Sequence, residues 1–249
     1  KATSKEAKAT VASATADLLV ANLKNANAKD AFTLTVTGAA TAKDLLTLDG
    51  KTDQIVVATG VTAITGSVAE VNKLLDAAVS LNNPAFNLTG TVKASDANAL
   101  ALQTSGIVTA TIAADTVANL NTALTDLTVN AYTLTVNGAT ASAATLELLN
   151  AKTSEVIKVD AKEITGLQAA LADIFVNNKD EFTGEEKVAV KITDTLAVAA
   201  NLVDAIADAT SGVVTATITA AEAAVLNAAL VDATVGQKTV NAYTLTVSD

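Results

Sequence analysis

Asn130-Ala-Tyr-Thr-Leu-Thr-Val136 returns letter for letter as Asn241-Ala-Tyr-Thr-Leu-Thr-Val247, and Ala31-Phe-Thr-Leu-Thr-Val36 is a looser copy near the start. Recurrence over such distances means an internal repeat, and a repeat decides the fold before local propensity does. Phe32, Tyr132 and Tyr243 stand 100 and 111 residues apart. Within that period Ser105-Gly-Ile-Val-Thr-Ala-Thr-Ile112 matches Ser211-Gly-Val-Val-Thr-Ala-Thr-Ile218. Ala63-Ile-Thr-Gly66 likewise matches Glu163-Ile-Thr-Gly166.

Working outward, the sequence predicts nine short strands, starting near Phe32, Ile55, Phe86, Ile107, Tyr132, Val156, Val188, Val213 and Tyr243. Apolar and polar residues alternate in most of them, as in Phe32, Leu34 and Val36 against Thr33 and Thr35. That period of two fits a half-buried strand. Helical spacing fills the gaps: Val68, Val71, Leu74, Leu75 and Ala78; Val117, Leu120, Ala123, Leu124 and Leu127; Ile164, Leu167, Ala170, Leu171 and Ile174. Leu202, Ala205 and Ile206 continue it, as do Val225, Ala229 and Leu230. Ser67 with Glu70, Asp115 before Thr116, Asp194, and Thr219 with Glu222 read as helix starts.

Strand–helix–strand connections of this length join parallel strands through right-handed crossovers. The strands alternate instead of being apolar throughout, which argues against helices on both faces. The expected fold is an α/β repeat solenoid with one parallel β-sheet face and one helical face. The alternative is a set of tandem β-rich modules with short helices. The expected divisions are an N-terminal helical cap or end of a preceding repeat over 1–31, repeat block 1 over 32–131, block 2 over 132–242, and a terminal strand over 243–249. Each block holds four strand–helix units. Residues 9–26 read as a repeat helix with no strand before it, and 243–247 as a repeat strand with no helix after it. Truncation of a longer array, or ends that complete each other head to tail, would each produce this.

Composition closes several functional classes. The chain has 249 residues, 50% hydrophobic but only 2% aromatic, so its core is built from small aliphatic side chains. The net charge is −10 and the sequence contains no Arg, so a nucleic acid partner is not expected. No apolar run reaches the ~18 residues a membrane helix needs, so membrane insertion is not expected. Without His or Cys the usual nucleophilic triads cannot form. Sugar clefts are usually aromatic-lined, and this chain has four Phe and two Tyr. Gly60 and Gly66 lack the spacing of a phosphate loop. An enzyme is not expected, and no catalytic residue or cofactor is assigned.

Three groups remain as candidates. Asp180, Glu181, Glu185 and Glu186 cluster around Gly184 and offer the hard oxygen ligands that suit calcium; the competing reading is a solvated acidic loop. Thr33, Thr35, Thr109, Thr111, Thr133, Thr135, Thr215 and Thr217 recur as Thr-x-Thr pairs. On parallel strands about 4.8 Å apart they would form a hydroxyl array, although Thr is also the ordinary outward residue of a sheet. Leu18, Leu19 and Leu23 at one end, with Tyr243, Leu245 and Val247 at the other, are the candidate assembly residues. Asn72, Asn121, Asn150, Gln168, Asn201 and Asn227 would stack into a polar ladder that fixes the repeat register.

The Ser211–Ile218 run followed by Asn241–Val247, together with Thr65-Gly-Ser-Val-Ala-Glu-Val-Asn72, resembles the repeats of very large secreted, S-layer-like surface proteins of marine bacteria, cyanobacteria especially. The resemblance covers nearly all of 32–249. It implies an extracellular, cell-surface role as a surface layer, filament or adhesin, and it transfers no catalytic residue. The Gly-Gly-x-Gly-x-Asp nonapeptides of calcium-binding secreted repeats are absent. The expected function is therefore structural: self-assembly by end-to-end stacking, with further copies of the chain or flanking repeats of a longer chain as partners. The alternative is a surface-binding module that presents the Thr-rich face to ice, mineral or glycan.

Overall fold

The computed structural model describes residues 6–231 and 240–248. The outermost residues of the expected N-terminal cap and terminal strand, and 232–239 of the second block, lie outside the described residues.

In chain order the elements are β1 (Lys8–Thr10), α1 (Ala16–Asn22), β2 (Ala31–Thr33), β3 (Thr35–Thr41), α2 (Ala42–Asp49), β4 (Val56–Gly66), α3 (Val68–Leu75), β5 (Val79–Ser80), β6 (Ala85–Val92), α4 (Ala94–Ala101), β7 (Val108–Ile112), α5 (Val117–Ala123) and β8 (Ala131–Thr133). There follow β9 (Thr135–Val136), β10 (Thr140–Ser142), α6 (Ala143–Asn150), β11 (Ile157–Val159), β12 (Glu163–Gly166), α7 (Gln168–Ala172), β13 (Phe182–Thr183), β14 (Ala189–Ile192), α8 (Ala200–Ala207), β15 (Val214–Thr217), α9 (Ala223–Ala229) and β16 (Ala242–Thr244). The chain is α/β, with several parallel sheets.

Two compact units divide it: Lys1–Ile112 with Asp126–Tyr132, and Ala113–Thr125 with Thr133–Asp249. The first unit holds the β1-β2 sheet and a six-stranded sheet ordered β3-β4-β6-β7-β8, with β5 beside β4. The second holds a three-stranded sheet, β13-β11-β9, and a five-stranded sheet, β10-β12-β14-β15-β16. Every strand pair with a resolved register is parallel and joins a strand to one that follows the next helix.

The alternation read from the sequence is the alternation of burial. Val108, Ala110 and Ile112 are buried while Thr109 and Thr111 are exposed. The inward residues meet one stripe of each helix, as Leu45 and Leu48 of α2 and Leu146 and Leu149 of α6 show, all fully buried. Helices of seven or eight residues are marginal alone, so this packing holds them. Ser67 and Glu70 form a full capping box at the start of α3. Gly66 and Gly166 allow the close approach of neighbouring units: a Cβ on either would lie 2.9 Å from the Cβ of Ala42 or of Ala143.

Several expectations are corrected. A strand does precede the first helix, because Lys8-Ala-Thr10 pairs with Ala31-Phe-Thr33. Ile164 is in β12, paired with Ala141 and Val190, and not on a helix. The helix beyond it starts only at Gln168 and widens into a π turn over Asp173–Asn177. α5 stops at Ala123, which leaves Leu127 outside it and exposed. Asp194 accepts the Gln168 N–H at 2.7 Å, so it serves α7, whereas α8 starts after Ala199. The Thr219 hydroxyl donates to Ala197 O, and α9 starts after Glu222 without a side-chain cap.

Candidate functional site

The recurring strand is held by the same bonds in each copy. The Asp30 carboxylate accepts the Ala7 N–H at 2.9 Å, and the Asn130 and Asn241 amide oxygens accept from Val108 N and Val214 N at 2.8 Å. Parallel bridges Ala14↔Val36, Asp115↔Val136 and Ala221↔Val247 follow at matching positions. These bonds bind each copy to the strand that precedes it.

The far side of the strand differs between copies. Val57 N donates to Leu34 O at 2.9 Å, and Lys158 N to Leu134 O at 3.0 Å. Leu34, Val36, Leu134 and Val136 are fully buried there. Tyr132 is buried too, and burial, then the Asp126 carboxylate, push its phenol well above the ordinary value. At the third copy Tyr243 is half-buried, while Leu245 and Val247 are 46% and 57% exposed. Among the described residues no N–H donates to Leu245 O. Among the described residues one sequence is thus fully buried at Leu34, Val36, Leu134 and Val136 and about half exposed at Leu245 and Val247. Of the N-terminal candidates, Leu18 is exposed, Leu23 half-buried and Leu19 buried.

Side chains missed by the sequence reading do the register work. Lys51 Nζ donates to Leu23 O, the C-cap of α1, at 2.7 Å. Lys152 Nζ donates to Leu124 O, the C-cap of α5, and to Asn121 O at 2.8 Å. Each lysine neutralises the negative end of the preceding helix, and burial lowers the Lys152 pKa. The next residue is a buried threonine in both cases. Thr52 Oγ1 accepts the Phe32 N–H at 3.0 Å and donates to Phe32 O at 2.8 Å. Thr210, which follows Ala209 and not a lysine, bonds in the same manner: its Oγ1 donates to Val188 O at 2.9 Å and accepts from Gly212 N at 3.0 Å. The signal was in the sequence as Thr-x-x-Ile/Val-Val/Ile at Thr52, Thr104, Thr153 and Thr210. The expected helix ladder does not form. Asn72, Asn201 and Asn227 are exposed, Asn121 and Gln168 half-buried, and half-buried Asn150 donates to Glu181.

The threonine array is dispersed. Thr33 faces Thr10 in the two-stranded sheet. Thr35, Thr109 and Thr111 face Val57, Asn87 and Thr91 in the six-stranded sheet, where Thr133 ends β8. Thr135 faces Lys158 in the three-stranded sheet. Thr215 and Thr217 face Lys191 and Thr244 in the five-stranded sheet. Most are exposed, but no single row of hydroxyls runs through them.

The acidic loop is not gathered around one point. Among the described residues no group of three or more acidic side chains is placed to hold a metal ion. Glu181 accepts from Asn150, and Glu186 pairs with Lys187 at 3.5 Å, its pKa lowered first by its own backbone N–H. Glu185 is 7% exposed, and its buried Oε2 has no hydrogen-bond partner. Burial raises its pKa, with Glu186 adding repulsion. Glu185, Asp180, Glu186 and Asp208 line one cleft of about 590 Å³ beside Lys179.

No protein-family model matches the chain, and no curated protein or solved structure matches it. Among the described residues no helix is long and apolar enough to cross a membrane.

Proposed function

We propose that the chain is a structural repeat segment of an extracellular surface layer, filament or adhesin stalk. In this reading its strand–helix units form an α/β solenoid that continues end to end into a further copy or into flanking repeats of a longer chain. The observation that carries it is the contrast between Leu134 and Val136, fully buried, and Leu245 and Val247, about half exposed in the same sequence. An open parallel edge with apolar side chains is a template for strand addition. The recurrence of the Asx bond and the parallel bridge in three copies supports one continuing stack. The resemblance to secreted surface-protein repeats supports a role for such a stack outside the cell. The dispersed threonines give the ice, mineral or glycan reading no comparable support.

Sedimentation velocity and electron microscopy over rising concentration, with and without calcium, test this. The wild type should form assemblies that grow with concentration. Leu245→Lys with Val247→Lys, both at exposed positions, should remain monomeric. A wild-type chain that stays monomeric throughout overturns stacking between copies and leaves flanking repeats of a longer chain as the partner.

A further inference from the structure

We propose that the cleft beside the π turn of the second unit binds a linear aliphatic polyamine, with the Glu185 carboxylate taking one of its ammonium groups. The site involves neither the recurring strand nor any stacking of repeats.

The cleft, of about 590 Å³, is lined from three short turns and the end of α8. Asp180, Glu185, Glu186 and Asp208 share it with one cation, Lys179. An acidic wall alone would be an ordinary solvated surface. Glu185 departs from that: it is 7% exposed, and its buried Oε2 has no hydrogen-bond partner. A carboxylate held away from water is costly unless a cation or donors meet it, and burial raises the Glu185 pKa accordingly. Lys179 lines the same cleft without bonding that oxygen. The turn that carries Glu185 is pinned in place. Gly184 has a φ of +90°, and a Cβ there would lie 2.5 Å from Val159 O of β11.

The arrangement selects the kind of cation. A divalent metal needs several oxygens around one point, and among the described residues no group of three or more acidic side chains is so placed. The carboxylates instead come from separate turns and from the end of α8, and the same cleft has apolar wall from Phe175, Val176 and Ala205. A chain of ammonium groups joined by methylenes answers both features. Its charges meet separate carboxylates, and its methylenes cover the apolar wall. Oε2 of Glu185 gives up no hydrogen bond in turning toward the incoming ammonium.

Spermidine, a linear triamine, is the probe, titrated calorimetrically into the full chain at pH 7. Saturable binding at one site is expected. Glu185→Gln relieves a buried charge, so it folds, and it should weaken binding at least tenfold. Asp76→Asn removes the same charge from an exposed position in the first unit and should change affinity less than twofold. Calcium at equal ionic strength should not displace the triamine. As pH falls, Asp180, Glu186 and Asp208 take up protons in both wild type and Glu185→Gln while Lys179 stays charged. Only the wild type adds a proton at Glu185, so its affinity should begin to fall at a higher pH. Absence of saturable binding overturns the proposal, as does displacement by calcium. Equal losses in Glu185→Gln and Asp76→Asn would show only diffuse attraction to an acidic chain and overturn it too. A pH profile shared by wild type and Glu185→Gln would remove Glu185 from the site.

Discussion

The ammonium of Lys51 lies 2.7 Å from the main-chain oxygen of Leu23, the residue that closes α1. α1 has only seven residues, and the main-chain oxygens at its C-terminal end have no partner within the helix, so the Lys51 ammonium supplies one there. Lys51→Met keeps the aliphatic stem and removes the charge. A charged hydrogen bond at a helix end is worth about 1–2 kcal/mol. The variant should lose that much in chemical denaturation, with earlier amide exchange in residues 16–22. Lys152→Met should act in the same way on α5.

Thr52 differs from the surface threonines although the sequence writes them alike. It is 4% exposed, and its hydroxyl serves Phe32 N, Phe32 O and Gln54 N. Thr52→Val keeps the shape and leaves buried backbone groups unpaired, a loss of about 1–3 kcal/mol. Thr33→Val, on an exposed strand position, should change stability by less than about 0.5 kcal/mol. Equal effects from the two substitutions in a urea titration would contradict the clamp.

That pair shows what was legible. Alternation is a local property, so the strands at Phe32, Val108, Tyr132 and Val214 could be read from neighbouring letters. The α2 and α6 helices bury Ala42, Leu45 and Leu48, and Ala143, Leu146 and Leu149, each spaced by three with no fourth position, too few to declare a helical period. Whether Thr52 clamps the previous strand, or Leu134 is fully buried, is decided by elements many residues away. Leu134 and Leu245 have identical neighbours in sequence and opposite environments. The acidic side chains are not gathered around one point for a related reason: Glu185 turns inward and Glu181 toward Asn150, and spacing alone does not set those directions.

Glu185 should make stability depend on pH in the direction opposite to most carboxylates. Its folded pKa is raised by burial and by the Glu186 charge, and the cleft places Asp180 and Asp208 near Lys179 around it. A raised carboxyl favours the folded state below the ordinary glutamate value near 4.5, and that advantage is lost as pH climbs through the raised folded value. Glu185→Gln removes the charge and keeps the shape. It should melt higher than the wild type at pH 7, by about 2–4 °C for a penalty of about 1 kcal/mol. The gain should vanish at pH 4. A gain that persists unchanged at pH 4 would mean that the charge is not its cause.

Asp30 titrates with the usual sign, and the repeat supplies its control. The Ala7 N–H, then the Asn27 N–H, hold its carboxyl below the ordinary value. A lowered carboxyl contributes stability above its unfolded pKa of about 3.8, and that contribution is lost as pH falls through the lower folded value. At the matching positions the chain uses Asn130 and Asn241, whose amide oxygens accept the same backbone bond without a charge. Asp30→Asn should therefore fold with near wild-type stability at pH 7 and flatten the acid limb of the melting-temperature profile as pH falls below about 4. Asp30→Ala removes the acceptor and should lower the melting temperature at every pH, because Ala7 N then loses its partner on the neighbouring strand. If asparagine proves as damaging as alanine at pH 7, the position depends on the carboxylate's charge, and the three copies are not equivalent at this bond.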